Sequence, residues 1–372
     1  MDAVALQLIL GRANLTAGRL RRALERLGTQ PGIAAAAALI GESTPLLRGL
    51  GLPPAASRWL SAPDHAAVEA DRRWLERQRI EVIDALSTAY PSRLAAIEDA
   101  PAVLYVRGAA ATLSEPQLAI VGTRTPTAPG RATAQRFAAE LARAGLTITS
   151  GLALGIDAAS HQGALAAGGR TIAVLASGLD RVYPPEHRGL SERILTQGAL
   201  VTELPRKTAP VRWSFPRRNR LISGLSLGTL VVEAAEDSGS LITARLALKQ
   251  GRRLFAIPGP IQNLQVRGCH QLIREGAKLV EGVGDILREI TELSAKLDDG
   301  RPHSSADQVT PEGLALDKEH KILLDALGFE AASVDMLVER TGFPSHCVVS
   351  MLLILELQGA IGGQAGGRYV RL

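Results

Sequence analysis

Arg217, Arg218 and Arg220 place three guanidiniums within four positions, with Asn219 among them and Trp213 and Phe215 just upstream. A guanidinium is permanently charged and presents a planar fork of donors that matches a phosphate. Aromatic rings beside such a cluster suit single-stranded nucleic acid, because every base has a face to stack on. The alternative is a solvated basic helix end, and the segment taken alone does not choose between the two. Small-residue turns recur elsewhere: Gly122-Thr123-Arg124, Ser150-Gly151, Ser177-Gly178 and Ser238-Gly239-Ser240. Turns of this kind offer backbone N–H groups and hydroxyls to an anion. One is routine. Several on one edge of a sheet, with Arg124 among them, describe a phosphate-binding crest.

Catalytic groups are harder to assemble. Asp157 and His161 stand four apart on an expected helix and could pair as base and orienter. The structural reading is favoured, since a carboxylate in the first turn suits a helix N-terminus. Glu203 and Glu233 fall at expected strand ends, where each could act as an acid or hold an arginine in place. No nucleophile adjoins a base, and Cys269-His270 has no second pair to complete a metal site. The G-x-x-x-x-G-K-[ST] phosphate loop is absent, and Gly151 to Gly155 does not form the G-x-G-x-x-G turn, which disfavours kinases, ATPases and nicotinamide-dependent dehydrogenases. No catalytic residue, metal or cofactor is assigned.

The elements that must position these residues follow from apolar patterning. Residues 1–72 read as short helices broken by Gly and Pro. Arg19, Arg21, Arg22 and Arg26 share one of them, read as an amphipathic helix with a solvated basic side. Residues 73–296 alternate short apolar runs with amphipathic helices. The runs are Leu118–Val121, Thr147–Thr149, Thr171–Ala176, Ala199–Glu203, Thr229–Glu233, Arg253–Ile257 and Lys278–Val280, with Ile80–Ile83 and Ala102–Val106 ahead of them. Such alternation means an α/β fold with a doubly wound, mostly parallel sheet covered on both faces. In such a sheet ligands bind beyond the carboxyl ends of the strands, where the small-residue turns fall. Residues 297–316 lose apolar periodicity and read as a linker. Residues 317–372 give three helical patterns closed by a Gly-rich hairpin, which is a winged-helix pattern. Its third helix, from Ser345, offers almost no basic side chain, which favours a protein-contact or accessory role over reading a duplex.

Composition agrees with a reducing, aqueous setting. Of 372 residues 46% are hydrophobic but only 3% aromatic, so alanine, leucine and valine must fill the cores. The net charge of +5 and a pI of about 9.5 favour an anionic partner without requiring one. Two cysteines far apart make no disulfide framework, and the most hydrophobic stretch is too short to span a bilayer. A cytoplasmic location with no membrane association is the expectation.

The ordered set Val121-Gly122-Thr123-Arg124, Ser150-Gly151-Leu152-Ala153-Leu154-Gly155-Ile156-Asp157, Ala173 to Asp180 with Tyr183-Pro184, Phe215-Pro216-Arg217-Arg218-Asn219-Arg220, Glu233 through Ser238-Gly239-Ser240-Leu241-Ile242-Thr243-Ala244, and Phe255 to Gly259 closely resembles the DNA-processing protein DprA (Smf) family. The likeness spans roughly residues 80 to 290, and it departs at His187, where the family pattern has Asn. It implies a Rossmann-like core flanked by a small helical domain of the SAM or helix-hairpin-helix kind and by a winged helix. The implied function is non-enzymatic: binding of single-stranded DNA, protection of incoming strands in natural transformation and loading of RecA recombinase. Implied partners are RecA, single-stranded-DNA-binding protein and a second copy in a homodimer. The implied nucleic-acid-binding residues are Gly122, Thr123, Arg124, Ser150, Gly151, Phe215, Arg217, Arg218, Asn219, Arg220, Ser238, Gly239 and Ser240. The competing reading is a Rossmann-like nucleotide hydrolase of the phosphoribohydrolase type. Such an enzyme needs a glutamate soon after the late Gly-rich turn, where this chain runs on into Leu241-Ile242-Thr243-Ala244-Arg245.

Overall fold

The structure is a computed structural model that describes residues 2–290, 318–328, 330–357, 360–364 and 367–371. The expected linker at 297–316 lies outside the described residues. The apolar runs form a nine-stranded sheet from β1 (Ile80–Asp84), β2 (Val103–Gly108), β3 (Gln117–Val121), β4 (Thr147–Ser150), β5 (Thr171–Val174), β6 (Ala199–Thr202), β7 (Gly228–Val231), β8 (Arg253–Ala256) and β9 (Lys278–Leu279). Their order is β1-β2-β6-β5-β4-β3-β7-β8-β9. β1 and β2 run antiparallel as a preface, and β2 meets β6 antiparallel, while every pairing from β6 across to β9 is parallel. The doubly wound, mostly parallel sheet inferred from the sequence is therefore what the chain forms.

Side chains alternate strictly across the sheet, as a period of two requires. On β3, Leu118 and Ile120 join Phe137, Leu141 and Ile156 from the helices Ala128–Arg143 and Ile156–Ala166 on one face. Ala119 and Val121 join Leu221, Ile222 and Leu241 from the helices Ser214–Leu225 and Ser240–Lys249 on the other. Burying both faces removes the central strands β3 to β7 from water, which is why they read as continuous apolar runs.

The strand order also fixes where a ligand can enter. From β3 the chain winds through β4 and β5 to β6, then returns to place β7 on the opposite side of β3. The connections leaving β3 and β7 diverge to opposite faces and open a crevice at this switch point, beyond the carboxyl ends of the strands.

The N-terminal module contains the helices Ala3–Ala13, Ala17–Arg26, Thr44–Gly49, Pro54–Ser61 and His65–Gln78, with a 3-10 turn at Ala34–Leu39. Its Leu8, Ile9, Leu20, Leu24 and Leu60 share one core with Ala173, Leu175 and Leu200 of the sheet region, so the module packs onto the sheet. Asp71 is buried between Arg12, 2.6 Å away, and Arg206 of the core, 3.7 Å away. The last helix spans residue 72 and leads through Arg79, in the left-handed region at φ 50°, directly into β1. The C-terminal helices Lys318–Leu327, Val334–Thr341 and Ser345–Leu357, with β10 (Ala332–Ser333), β11 (Ile361–Gln364) and β12 (Arg368–Arg371), make the winged helix expected from the pattern.

Candidate nucleic-acid interface

A cavity of about 430 Å³ opens at the β3–β7 switch point. Gly122 and Arg124 line it from the turn after β3, Ala153 and Asp157 from the segment after β4, and Tyr183 from the loop after β5. Ser238, Gly239, Ser240, Ile242 and Thr243 close the side beyond β7, where the helix Ser240–Lys249 begins. The far wall is the helix Ser214–Leu225, which presents Phe215, Arg218, Asn219 and Ile222. Those four positions follow the i, i+3, i+4, i+7 spacing of one helical face.

The opposite face of that helix carries the other two arginines. Arg220, nearly fully buried, donates to Glu203 Oε2 at 2.6 Å and lies 3.1 Å from Asp99. Arg217 donates to the same Glu203 oxygen at 3.0 Å and to Asn14 Oδ1 of the N-terminal module at 2.6 Å. Glu203 thus holds two guanidiniums, whereas Glu233 pairs with none among the described residues. Glu233 accepts from the Thr127 N–H at 2.9 Å and the Thr127 hydroxyl at 2.5 Å, fastening the start of the helix Ala128–Arg143.

Arg218 forms the floor of the cavity. Its guanidinium donates to the carbonyl oxygens of Gly151, at 2.6 Å, and Val174. Burial pulls its pKa down to about 10, partly countered by Asp157, so it remains a cation at neutral pH. Asp157 is itself pushed up by burial, with Arg218 and the N–H donors pulling against that shift. The Gly151 and Ala153 N–H groups donate to the Asp157 carboxylate at 3.1 and 3.2 Å. The N–H groups of this turn therefore bind an internal carboxylate, in contrast to the open donors that its composition alone implied. A Cβ at Gly151 would lie 2.5 Å from Arg218 Nη1, so glycine is required for the close approach.

Ser150 also turns inward, its hydroxyl donating to the Ile120 carbonyl at 2.6 Å. Thr123 is buried and receives no place on the cavity wall; its N–H donates to the Glu233 carbonyl at 2.7 Å. The structure thus brings Gly122, Arg124, Phe215, Arg218, Asn219, Ser238, Gly239 and Ser240 to one cavity, and it sets Thr123, Ser150, Gly151, Arg217 and Arg220 behind it. Arg124 is exposed, with its guanidinium carbon 5.4 Å from the centre of the Phe215 ring. Arg212, Tyr183 and Asp157 line the same space and were not singled out as binding residues from sequence. Tyr183 was recoverable, because it follows β5 on the same crest; Arg212 lies one residue upstream of Trp213 with no turn signature to mark it.

His161 and Asp157 do not act as a pair. His161 Nδ1 lies 2.6 Å from the Thr171 hydroxyl, which itself donates to the Ile148 carbonyl at 2.7 Å. The hydroxyl must then accept, so Nδ1 carries the proton. Complete burial lowers the His161 pKa to about 3, which leaves the ring neutral. His187, at the position that departs from the family pattern, sets its Nδ1 2.8 Å from the carbonyl of Leu152, a residue in the left-handed region at φ 59°. Among the described residues there is no cluster of His, Cys, Asp or Glu able to hold a metal ion. No described helix is long and apolar enough to cross a membrane.

The winged helix presents an apolar outer surface on its third helix, where Val349, Leu353 and Ile354 are exposed while Val348, Met351, Leu352 and Leu355 fill its core. Arg340, on the preceding helix, donates to the Ala326 carbonyl at 2.9 Å.

A mostly parallel sheet with Arg124, Arg212 and Arg218 around the cavity at its switch point, flanked by a helical module and a winged helix, defines a class of doubly wound α/β proteins. Residues 81–291 match the family model described as DNA recombination-mediator protein A, and residues 307–367 match that of the DprA winged helix domain. Protein Smf of Escherichia coli strain K12 is 45% identical over 318 residues, covering 85% of this chain and 84% of that protein. The DNA processing protein DprA of Bacillus subtilis strain 168 is 44% identical over 220 residues, covering 59% and 74%. Among solved structures, DNA processing protein A from Streptococcus pneumoniae superposes with a TM-score of 0.64 at 35% identity, covering 76% of this chain and 95% of that one. The Helicobacter pylori protein, studied for its single-stranded DNA binding mode, superposes with a TM-score of 0.52 at 29% identity, covering 60% and 98%. The chain belongs to the DNA recombination-mediator protein A family, that of DprA and Smf.

Proposed function

We propose that this protein binds single-stranded DNA at the β3–β7 cavity and acts as a non-enzymatic mediator of recombination. In this reading it protects incoming strands during natural transformation and loads RecA onto them in the cytoplasm. The observation that carries the reading is the convergence of Arg124, Arg212 and the buried Arg218 on one cavity at the switch point of the sheet. The N-terminus of the helix Ser240–Lys249 adds the positive end of its dipole on the same side. Fixed cations of this kind hold phosphates without reading sequence. The Helicobacter pylori relative, which binds single-stranded DNA, supports the choice of ligand.

Self-association as a homodimer belongs to the same reading. Ile261 and Leu264, 75% and 60% exposed on the loop after β8, offer apolar surface to a second copy. The hydrolase reading would require a glutamate soon after the turn Ser238-Gly239-Ser240, and the helix that starts there has no acid in its first turn. The decisive experiment titrates matched single- and double-stranded oligonucleotides across salt, then follows RecA filament assembly on strands coated with single-stranded-DNA-binding protein. Tight, salt-sensitive binding of the single strand and faster filament assembly are expected. Absence of single-strand binding overturns the reading, and release of free base from nucleoside monophosphates would replace it with the hydrolase.

A further inference from the structure

Large aromatic side chains are scarce in this chain and are buried or partnered in most places. Trp59 donates its indole N–H to the Ile9 carbonyl at 2.8 Å and carries Arg12 over its ring. Trp74 is stacked by Arg206, and Tyr90 and Tyr105 are buried. Trp213 and Tyr183 differ: they are 58% and 45% exposed. One lines the cavity and the other adjoins in sequence a residue that does. Tyr183 lines its mouth, with its ring centre 5.6 Å from that of Phe215. Trp213 caps the arginine helix two residues before Phe215 and directly follows Arg212, which lines the cavity. Ile242, which lines the same cavity, is also exposed. A charged cavity accounts for the arginines but gives no reason to leave two aromatic rings in water beside them.

Phosphate charge alone does not favour a single strand, because a duplex presents the same phosphates at higher density. The difference between the two ligands is that only a single strand has free base faces. An aromatic ring beside a cationic groove is the arrangement that uses that difference. We propose that Tyr183 and Trp213 are stacking platforms for unpaired bases, one at the mouth of the phosphate cavity and one just outside it, and that they supply the preference for single strands. This inference rests on the single-strand reading given above.

The test uses two oligonucleotides with equal numbers of phosphates, one of thymidines and one fully abasic, titrated by fluorescence anisotropy against the wild type, Trp213→Ala, Trp213→Phe and Tyr183→Ala. The thymidine strand is expected to bind the wild type roughly five- to a hundredfold more tightly than the abasic strand for each base stacked. Trp213→Ala and Tyr183→Ala should each lose such a factor with an unchanged salt slope, and Trp213→Phe should keep most of it. Equal affinity for the two strands, with the salt slope intact, overturns the stacking platforms and leaves the phosphate site standing. A base preference that survives in both alanine variants overturns them as well. Binding of neither strand overturns this inference together with the reading on which it rests.

Discussion

Arg124→Ala separates the arginines that face the cavity from those that hold the helix. Three guanidiniums, Arg124, Arg212 and Arg218, meet the cavity, and Arg124 is the exposed one that stands over Phe215. Neutralising about three phosphates of a single strand gives a slope near −2 in log K against log salt, and losing one brings it to about −1.4. Raising salt from about 50 to about 200 mM should then weaken the wild type about 18-fold and Arg124→Ala only about 7-fold. Arg217→Ala is the control, because its guanidinium is engaged by Asn14 and Glu203 behind the cavity. Anisotropy titrations at four salt concentrations measure both slopes on the same labelled strand. The assignment is refuted if Arg124→Ala keeps the wild-type slope, or if Arg217→Ala lowers the slope by the same amount.

Three further outcomes follow from the packing. Glu203→Ala should lower stability by about 3–5 kcal/mol, seen as a lower urea midpoint, because it strips the main partner from the buried Arg220. Gly151→Ala should cost about 1–3 kcal/mol and weaken strand binding, since its methyl displaces the Arg218 guanidinium from the cavity floor; wild-type affinity in this variant would show that Arg218 is not part of the site. His161 has a folded pKa of about 3 against 6.5 in the open chain, so the unfolded state binds the extra proton and stability falls as pH drops through that window. Urea midpoints between pH 7 and 4 should decline less steeply in a His161→Gln variant than in the wild type, and equal slopes would contradict the buried neutral ring.

The sheet was legible because burial on both faces leaves a mark in each strand independently: Leu118 to Val121 or Thr229 to Val232 needs no partner to be read. The crest was legible for a related reason, since small residues after each strand are local in sequence. What the sequence hid was the destination of each polar group. Gly151 and Ala153 have the composition of an anion-binding turn, yet their N–H groups close on Asp157, which belongs to the following helix. Arg217 finds Asn14, two hundred and three positions away, and Arg220 finds Asp99. No local pattern marks contacts made across such separations, because they depend on how the helical module and the sheet come together.

The arginine segment shows how much follows once its secondary structure is known. Read as a basic run, Arg217, Arg218 and Arg220 are equivalent, and each is a candidate for phosphate. Read as part of the helix Ser214–Leu225, they are divided by the 3.6-residue period. Phe215, Arg218, Asn219 and Ile222 share the face that lines the cavity, while Arg217 and Arg220 turn toward Glu203. The division has a physical use. Two guanidiniums with the carboxylates of Glu203 and Asp99 fix the helix from behind, so in the proposed function the ring and the guanidinium in front need no reordering when a strand arrives. Arg218 is held in the same way by the Gly151 and Val174 carbonyls, neutral acceptors that fix its guanidinium, while Asp157 on the same cavity wall offsets part of its charge. In the proposed function the segment offers a polyanion only part of its charge, and the remainder keeps that part in place.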